Sequence, residues 1–302
     1  GDKSFNIKSD GRITQSEFMI PKALHPAEVL SDIKTHIAME VEDLPTFPEN
    51  IIRLQQLCRD RNVTIDMLAS GIQTDPALAA SILKLANSAG FITSKRITNL
   101  KDAIKIIGLK NLNSMLVASA ARQIMDTRFS SFKEIWAHCN KAALYARTIA
   151  CRNNLASISE MAYLASLLHD LGKIILLSAN TELTTRIESV AIKRQMRRST
   201  VLEEMTMGVS HASIGKTIAE KWNFPPYLVE AIAYHHAPVS ASPEFRDIVG
   251  ITYLANALCL IEENKFDYFY MDDDVLRRFG LTDREKFISF HNELIEKTRL
   301  MA

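Results

Sequence analysis

The chain has 302 residues, 47% apolar and 24% charged, with a formal net charge of +1. That is the balance of an ordinary globular protein with material for a sizeable core, and nothing in it marks a nucleic-acid or membrane binder. Cys58, Cys139, Cys151 and Cys259 form no CxxC pair, which argues against a zinc ribbon or a disulfide framework and fits a reducing cytoplasm.

Length alone suggests about two domains or one large one. No run approaches the ~18 apolar residues of a membrane span, so no membrane contact is expected. The polar start GDKSFNIKSD shows no secretory signal.

Residues 1–21 lack clear periodicity and end at Pro21, as a loosely ordered leader would. From Lys22 onward the signals are helical. The ten glycines and nine prolines mostly separate periodic segments, and no strong strand alternation is visible. LPTFPENIIRLQQLC opens a helix after Pro48. In TDPALAASILKLANSAG, Asp75 is a natural N-cap and Pro76 suits the first helical position. Leu78, Ile82 and Leu85 then share one face, and Asn87 to Gly90 form the stop. Thr98 or Asn99 starts the next helix, Gly108 breaks it, and another runs over about 109–125.

The polar segment DTRFSSFKE interrupts this pattern. It separates an N-terminal helical subdomain, 22–129, from a second one, 130–263. Helices are expected from EIWAHCNKAALYARTIACRN and near 158–170, 172–178, 181–197, 211–223, 226–236, 244–263 and 283–299. An extension, 264–302, has a capping pattern at Thr282 with Glu285 three residues on, and should pack on the body. The fold class is therefore all-α, with two helical subdomains.

Eight histidines occur, and the second subdomain gathers His138, His169, His211, His235 and His236, with Asp170 beside His169. Imidazole and carboxylate are the expected ligands of zinc, iron, manganese or nickel. His169 and Asp170 point in different directions, so the aspartate could bridge two ions while the histidine binds one. The alternative is a relic pocket whose histidines hydrogen-bond one another and nearby backbone.

The order WxH, LLHDLGK, GVSHASIGKTIAEKWNFP, AIAYHH resembles the HD superfamily of metal-dependent phosphohydrolases. LPTFPENIIRL, QTDPALAASILKLANSAG and ITNLKDAIKIIGLKNL, in the first half, sharpen this to the HDOD family (HD-related output domain), over roughly residues 44–262. The resemblance implies an HDOD bundle with one or two divalent or transition metal ions (Fe, Mn, Zn, Ni or Mg). His138, His169 and Asp170 would be ligands, with His211, His235 and His236 as the extra histidines. Asp170 and Lys173 would be the catalytic pair, Lys173 touching a substrate phosphate.

Two departures stand out. The later aspartate of the superfamily is replaced by Asn256, whose amide oxygen can ligate a metal but carries no charge. Cyclic-di-GMP phosphodiesterases continue after the paired histidines with a DGxGYP stretch. Here HHAPVSASPEF has no glycine, which disfavours that activity.

The family resembles bacterial signalling output modules. The expected role is a cytoplasmic regulatory module acting through a protein partner, and the alternative is a metal-dependent phosphohydrolase acting on a phosphate ester or nucleotide. IKIIGLKNLNSMLVAS could pass for a helix-turn-helix, but its helix start lacks arginine, so direct nucleic-acid binding is not expected. The basic run IKRQMRRST fits a solvated helix end.

Overall fold

The computed structural model describes residues 3–7, 13–17, 27–87, 95–129, 132–194, 196 and 198–299. Pro21, Ser88 to Gly90, Ser130, Ser131, Gln195 and Arg197, which the expectations above touch, lie outside the described residues.

Strands β1 (Lys3–Ile7) and β2 (Ile13–Glu17) pair antiparallel with Phe5 opposite Gln15. The sequence pattern missed them because five-residue strands rich in polar residues carry almost no alternation. The body is helical. The N-terminal half holds α1 (Ala27–Glu42), α2 (Glu49–Arg59), α3 (Ile65–Gln73), α4 (Pro76–Ala86) and α5 (Leu100–Arg128).

Its helices start where short polar side chains satisfy free backbone N–H groups. Thr64 accepts from the Met67 N–H, Asp75 from Leu78 and Asn99 from Asp102, at 3.2, 3.0 and 2.9 Å. Each such cap contributes about 1 kcal/mol. Asn87 ends α4, and its side-chain amide both donates to and accepts from the Ile97 backbone at 2.8 Å, tying this helix end to the approach of α5. Inside α5, Gly108 has φ 76°, so the chain turns between two helical pieces at a residue that tolerates left-handed backbone.

The second half holds α6 (Lys133–Arg152), α7 (Ser159–Leu168), α8 (Leu171–Ala179), α9 (Thr181–Lys193), α10 (Ser199–Met207), α11 (His211–Lys221), α12 (Pro226–Tyr234) and α13 (Arg246–Glu262). Two expectations need correction here. The helix expected over 181–197 stops at Lys193, and residues assigned to its basic end lead into a separate helix, α10. The stretch Ala156–Ala179 is apolar enough over its length to be weighed as a membrane span, but 78% of its most apolar window is buried inside the bundle.

Buried apolar side chains form two clusters. The larger runs from Ile33 to Val249 through both halves of the chain. The smaller joins α6 and α13 to α14 (Asp273–Arg278) and α15 (Arg284–Arg299). Polar contacts fix the same interface. Glu262 accepts from the Tyr145 hydroxyl at 2.5 Å, from Lys141 at 2.6 Å and from His291 of α15 at 3.1 Å. The C-terminal extension thus packs on the body, but its last helix is capped by Asp283, which accepts from the Lys286 N–H at 2.8 Å, and not by the expected Thr282.

Candidate metal centre

The histidines and Asp170 come from ends of helices rather than from their middles. α7 stops at Leu168 and α8 starts at Leu171, so His169 and Asp170 form the turn between two buried helices. His211 is the first residue of α11, held there by a capping box between Ser210 and Ser213. His235 closes α12, followed by His236. Only His138 on α6 and Asn256 on α13 project from helix interiors.

Close helix packing brings these ends together. A Cβ on Gly172 would press on the His211 carbonyl oxygen and lie 2.5 Å from the Gly215 nitrogen. Glycine at 172 therefore lets α8 lie directly on the start of α11, which sets His211 over Asp170.

Each ring is oriented by a partner on its outer nitrogen. Nδ1 of His169 donates to the Ser166 carbonyl at 2.7 Å, and Nδ1 of His235 donates to that of Ile232 at 2.9 Å. Nδ1 of His211 donates to buried Glu203 of α10 at 2.8 Å, and the same carboxylate accepts from the His211 backbone N–H at 2.8 Å. With Nδ1 engaged in each, the Nε2 atoms of all three rings point inward.

The inner nitrogens converge. His211 Nε2 lies 3.2 Å from His235 Nε2 and 3.1 Å from His236 Nε2. Asp170 Oδ1 is 3.3 Å from His211 Nε2 and 3.5 Å from His235 Nε2. On the other side of the carboxylate, Asp170 Oδ2 is 3.4 Å from His169 Nε2 and 3.9 Å from His138 Nε2. Two donor groups thus share Asp170, one with His211, His235 and His236, the other with His138 and His169. His169 Nε2 and Asp170 Oδ1 are buried without any hydrogen-bond partner. Leaving such atoms unpaired is costly; an ion in the first group would meet Asp170 Oδ1, and one in the second would meet His169 Nε2.

The electrostatics follow from burial and from Asp170. Burial pushes the His235 pKa down to about 4, and pushes that of His236 well below 6.5 with help from the neighbouring rings. Burial opposes charge on His169, but the adjoining carboxylate outweighs it and holds its pKa well above 6.5. Asp170 stays well below the usual carboxylate range, its burial offset by His169 and Lys173.

The second donor group is partly closed. His138 Nε2 hydrogen-bonds Asn256 Oδ1 at 2.9 Å, so the amide that stands in for a carboxylate already occupies this ring. His138 Nδ1 faces Glu263 at 3.5 Å, and the bond from His138 pulls the Glu263 pKa down to about 2.

Lys173, one turn into α8, has Nζ 4.0 Å from Asp170 Oδ2. Although its burial disfavours charge, Asp170, Glu188 and Glu203 around it raise its pKa and keep it cationic. It lines a pocket of about 830 Å³, counting space open to solvent, that reaches Asp170, His236 and Asn256.

The HDOD domain family matches residues 44–238, about two thirds of the chain. This chain belongs to the HDOD family. An uncharacterized protein of Treponema pallidum (strain Nichols) is 24% identical over 273 residues, 90% of the HDOD chain but only 53% of that relative. The chain therefore spans about half the length of the curated relative it matches.

Solved structures share its fold. An HDOD domain protein of unknown function from Geobacter sulfurreducens is similar with TM-score 0.58 at 22% identity, covering 89% of this chain and 97% of that one. A protein of Shewanella amazonensis SB2B named as a candidate phosphohydrolase gives TM-score 0.61 at 21% identity, covering 86% and 93%. A Marinobacter aquaeolei VT8 protein named as a candidate signal transduction protein gives 0.60 at 20% identity, covering 90% and 63%.

The HDOD fold brings all the singled-out residues, His138, His169, Asp170, Lys173, His211, His235, His236 and Asn256, to one place. Sequence reasoning missed Glu203 and Glu263, the carboxylates behind His211 and His138. Glu203 sits eight residues before its partner on α10, a helix not expected from the sequence, and Glu263 is 125 residues from His138. A buried glutamate on an amphipathic helix facing a histidine helix was the available signal for Glu203.

Proposed function

We propose that this HDOD chain is a regulatory module built around a metal centre, which a phosphate-bearing ligand approaches through the pocket beside Lys173. The ion is held by Asp170, His211, His235 and His236. The observation that carries this is the convergence of three Nε2 atoms at 3.1 and 3.2 Å, with Asp170 Oδ1 3.3 and 3.5 Å from two of them. Nitrogens bound ~2.0–2.1 Å from one zinc-like ion lie roughly 3–3.4 Å apart. Three imidazoles and one carboxylate suit zinc, iron, nickel or manganese better than magnesium, which prefers oxygen.

The group of His138, His169 and Asp170 is the weaker position, because His138 lies 3.9 Å from Asp170 Oδ2 and Asn256 engages His138. This favours a single tightly held ion. It also favours regulation through protein contacts over rapid turnover.

A second reading, hydrolysis of the phosphate ester, is favoured by Lys173 standing beside Asp170 at the pocket. A bound ion would lower the pKa of water to ~7 and so supply hydroxide at neutral pH. Asp170 would orient that water, and Lys173 would stabilise charge growing on the phosphoryl oxygens.

Element analysis of the purified chain, before and after reconstitution, tests the centre. Close to one equivalent of a transition metal is expected, lost in His211→Ala. Less than a tenth of an equivalent after reconstitution would sink the reading. A screen of phosphate esters with the loaded protein separates the two functions, since turnover must disappear in Asp170→Ala.

A further inference from the structure

Glu188 of α9 stands between two lysines. Its Oε1 lies 3.6 Å from Lys173 Nζ and 3.8 Å from Lys265 Nζ. Lys173 comes from α8, and Lys265 follows the end of α13. The turn that delivers Lys265 is well defined. Asn264 takes a left-handed φ of 56°, and the Lys265 N–H returns to the Leu260 carbonyl at 2.8 Å. All three side chains line the pocket that reaches Asp170, whose Oδ1 is buried and unpartnered.

These distances exceed those of charge-assisted hydrogen bonds, roughly 2.7–2.9 Å. Lys265 also pairs with Glu263 at 2.9 Å and Lys173 faces Asp170 at 4.0 Å, so Glu188 is an added carboxylate held loosely by both lysines. A phosphoryl group has more oxygens and can bond both lysines at once. Glu188 is about one-third exposed, so it can leave without unpacking the core.

We propose that Glu188 is a displaceable internal anion, occupying the position between Lys173 and Lys265 where the phosphoryl group of a ligand binds. This rests on the reading that a phosphate-bearing ligand uses the pocket. Lys265 is then a second phosphate-binding cation, and α9 carries a built-in competitor that sets the threshold for binding. The pocket wall beside the lysines includes Leu260 and Phe266, which suits an ester with an apolar or aromatic group.

Calorimetric titration of the full chain with inorganic phosphate tests this, in metal-depleted protein and again after metal loading. Glu188→Gln should bind phosphate about tenfold tighter than the unaltered chain, since a nearby competing charge is removed. Adding Lys265→Met should reverse that gain. Glu188→Ala repeats the test with a different side chain. If the unaltered chain binds phosphate but Glu188→Gln and Glu188→Ala stay within twofold of it, Glu188 is not a competitor and the proposal is overturned. It is overturned equally if Lys265→Met leaves the gain intact.

If no form binds phosphate in either metal state, the pocket reading falls with the proposal. Loss of hydrolysis alone removes only the second reading of function. Phenyl phosphate provides the other arm. Tighter binding than inorganic phosphate assigns the site to an ester and equal affinity to free phosphate, with the Glu188→Gln gain required in both.

Discussion

The carbonyl oxygen of His211 sits against the point where Gly172 would carry a Cβ. α8 and α11 touch backbone to backbone there, and the two ends of the donor set come from those helices. Gly172→Ala should therefore do more than add helix propensity, which alone would favour alanine by about 1 kcal/mol. Its methyl group meets backbone atoms, which cannot rotate away. A net loss of about 2 kcal/mol is expected from overpacking. Melting should fall by roughly 3 °C in a chain of this length, with weaker metal binding because His211 is displaced from Asp170. Unchanged melting and metal affinity would show that this contact does not set the site.

Glu203 acts on the centre through His211. It takes the Nδ1 proton and the backbone N–H of that residue, and its own pKa is lowered by His211 despite burial. Glu203→Gln keeps the shape but weakens the acceptor, and its amide can present the wrong group to the ring. Metal affinity should drop by ~10–100-fold, the usual cost of losing such a partner. The helical circular dichroism spectrum should stay the same. Competition with a chelator measures the change, and equal affinity in both proteins would remove Glu203 from the site.

The metal-free protein should lose stability on mild acidification. His235 falls from an ordinary value near 6.5 to about 4 on folding, and His236 is depressed too. Below pH 6.5 the unfolded chain takes up protons that these folded rings refuse, so stability declines as pH falls towards 4. For His235 alone this is about 2 kcal/mol between pH 6.5 and 5. His169 acts oppositely, adding stability at low pH that is lost as pH rises through its raised pKa. Two depressed rings against one raised ring leave a net decline. Melting of chelator-treated protein at pH 7 and pH 5 tests it, with His235→Asn flattening the difference. A melting temperature that rises towards pH 5 would reverse the assignment.

How far the sequence foretold this depends on how local each signal is. Asp75 with Pro76, Asn99 and Gly108 act within one turn of chain, and their helix starts and break lie where the residues alone put them. The donor set was legible because its residues are chemically rare in apolar surroundings. What escaped depends on approach between distant segments. Glu203, Glu263 and Glu188 are ordinary glutamates until packing sets them against His211, His138 and the two lysines. The start of α10 was hidden because the basic residues before it look like the end of a helix, although no local rule forbids a new one at Ser199.

In the proposed centre, Asn256 is the residue expected to limit binding to one ion. Its amide oxygen bonds His138 Nε2 at 2.9 Å, and the residue is buried at 5% exposure. Asn256→Asp places a second carboxylate near Asp170. Without metal this should destabilise the protein, by about 1–3 kcal/mol, because two buried like charges repel or one must take a proton. With metal the sign reverses, since the added charge completes a donor set with His138, His169 and Asp170. The variant should bind two equivalents where the unaltered chain binds one, and its melting temperature should rise more on metal addition. Element analysis after gel filtration counts the ions directly. A stoichiometry unchanged by Asn256→Asp would mean that the His138 side is closed by its packing and not by the missing charge.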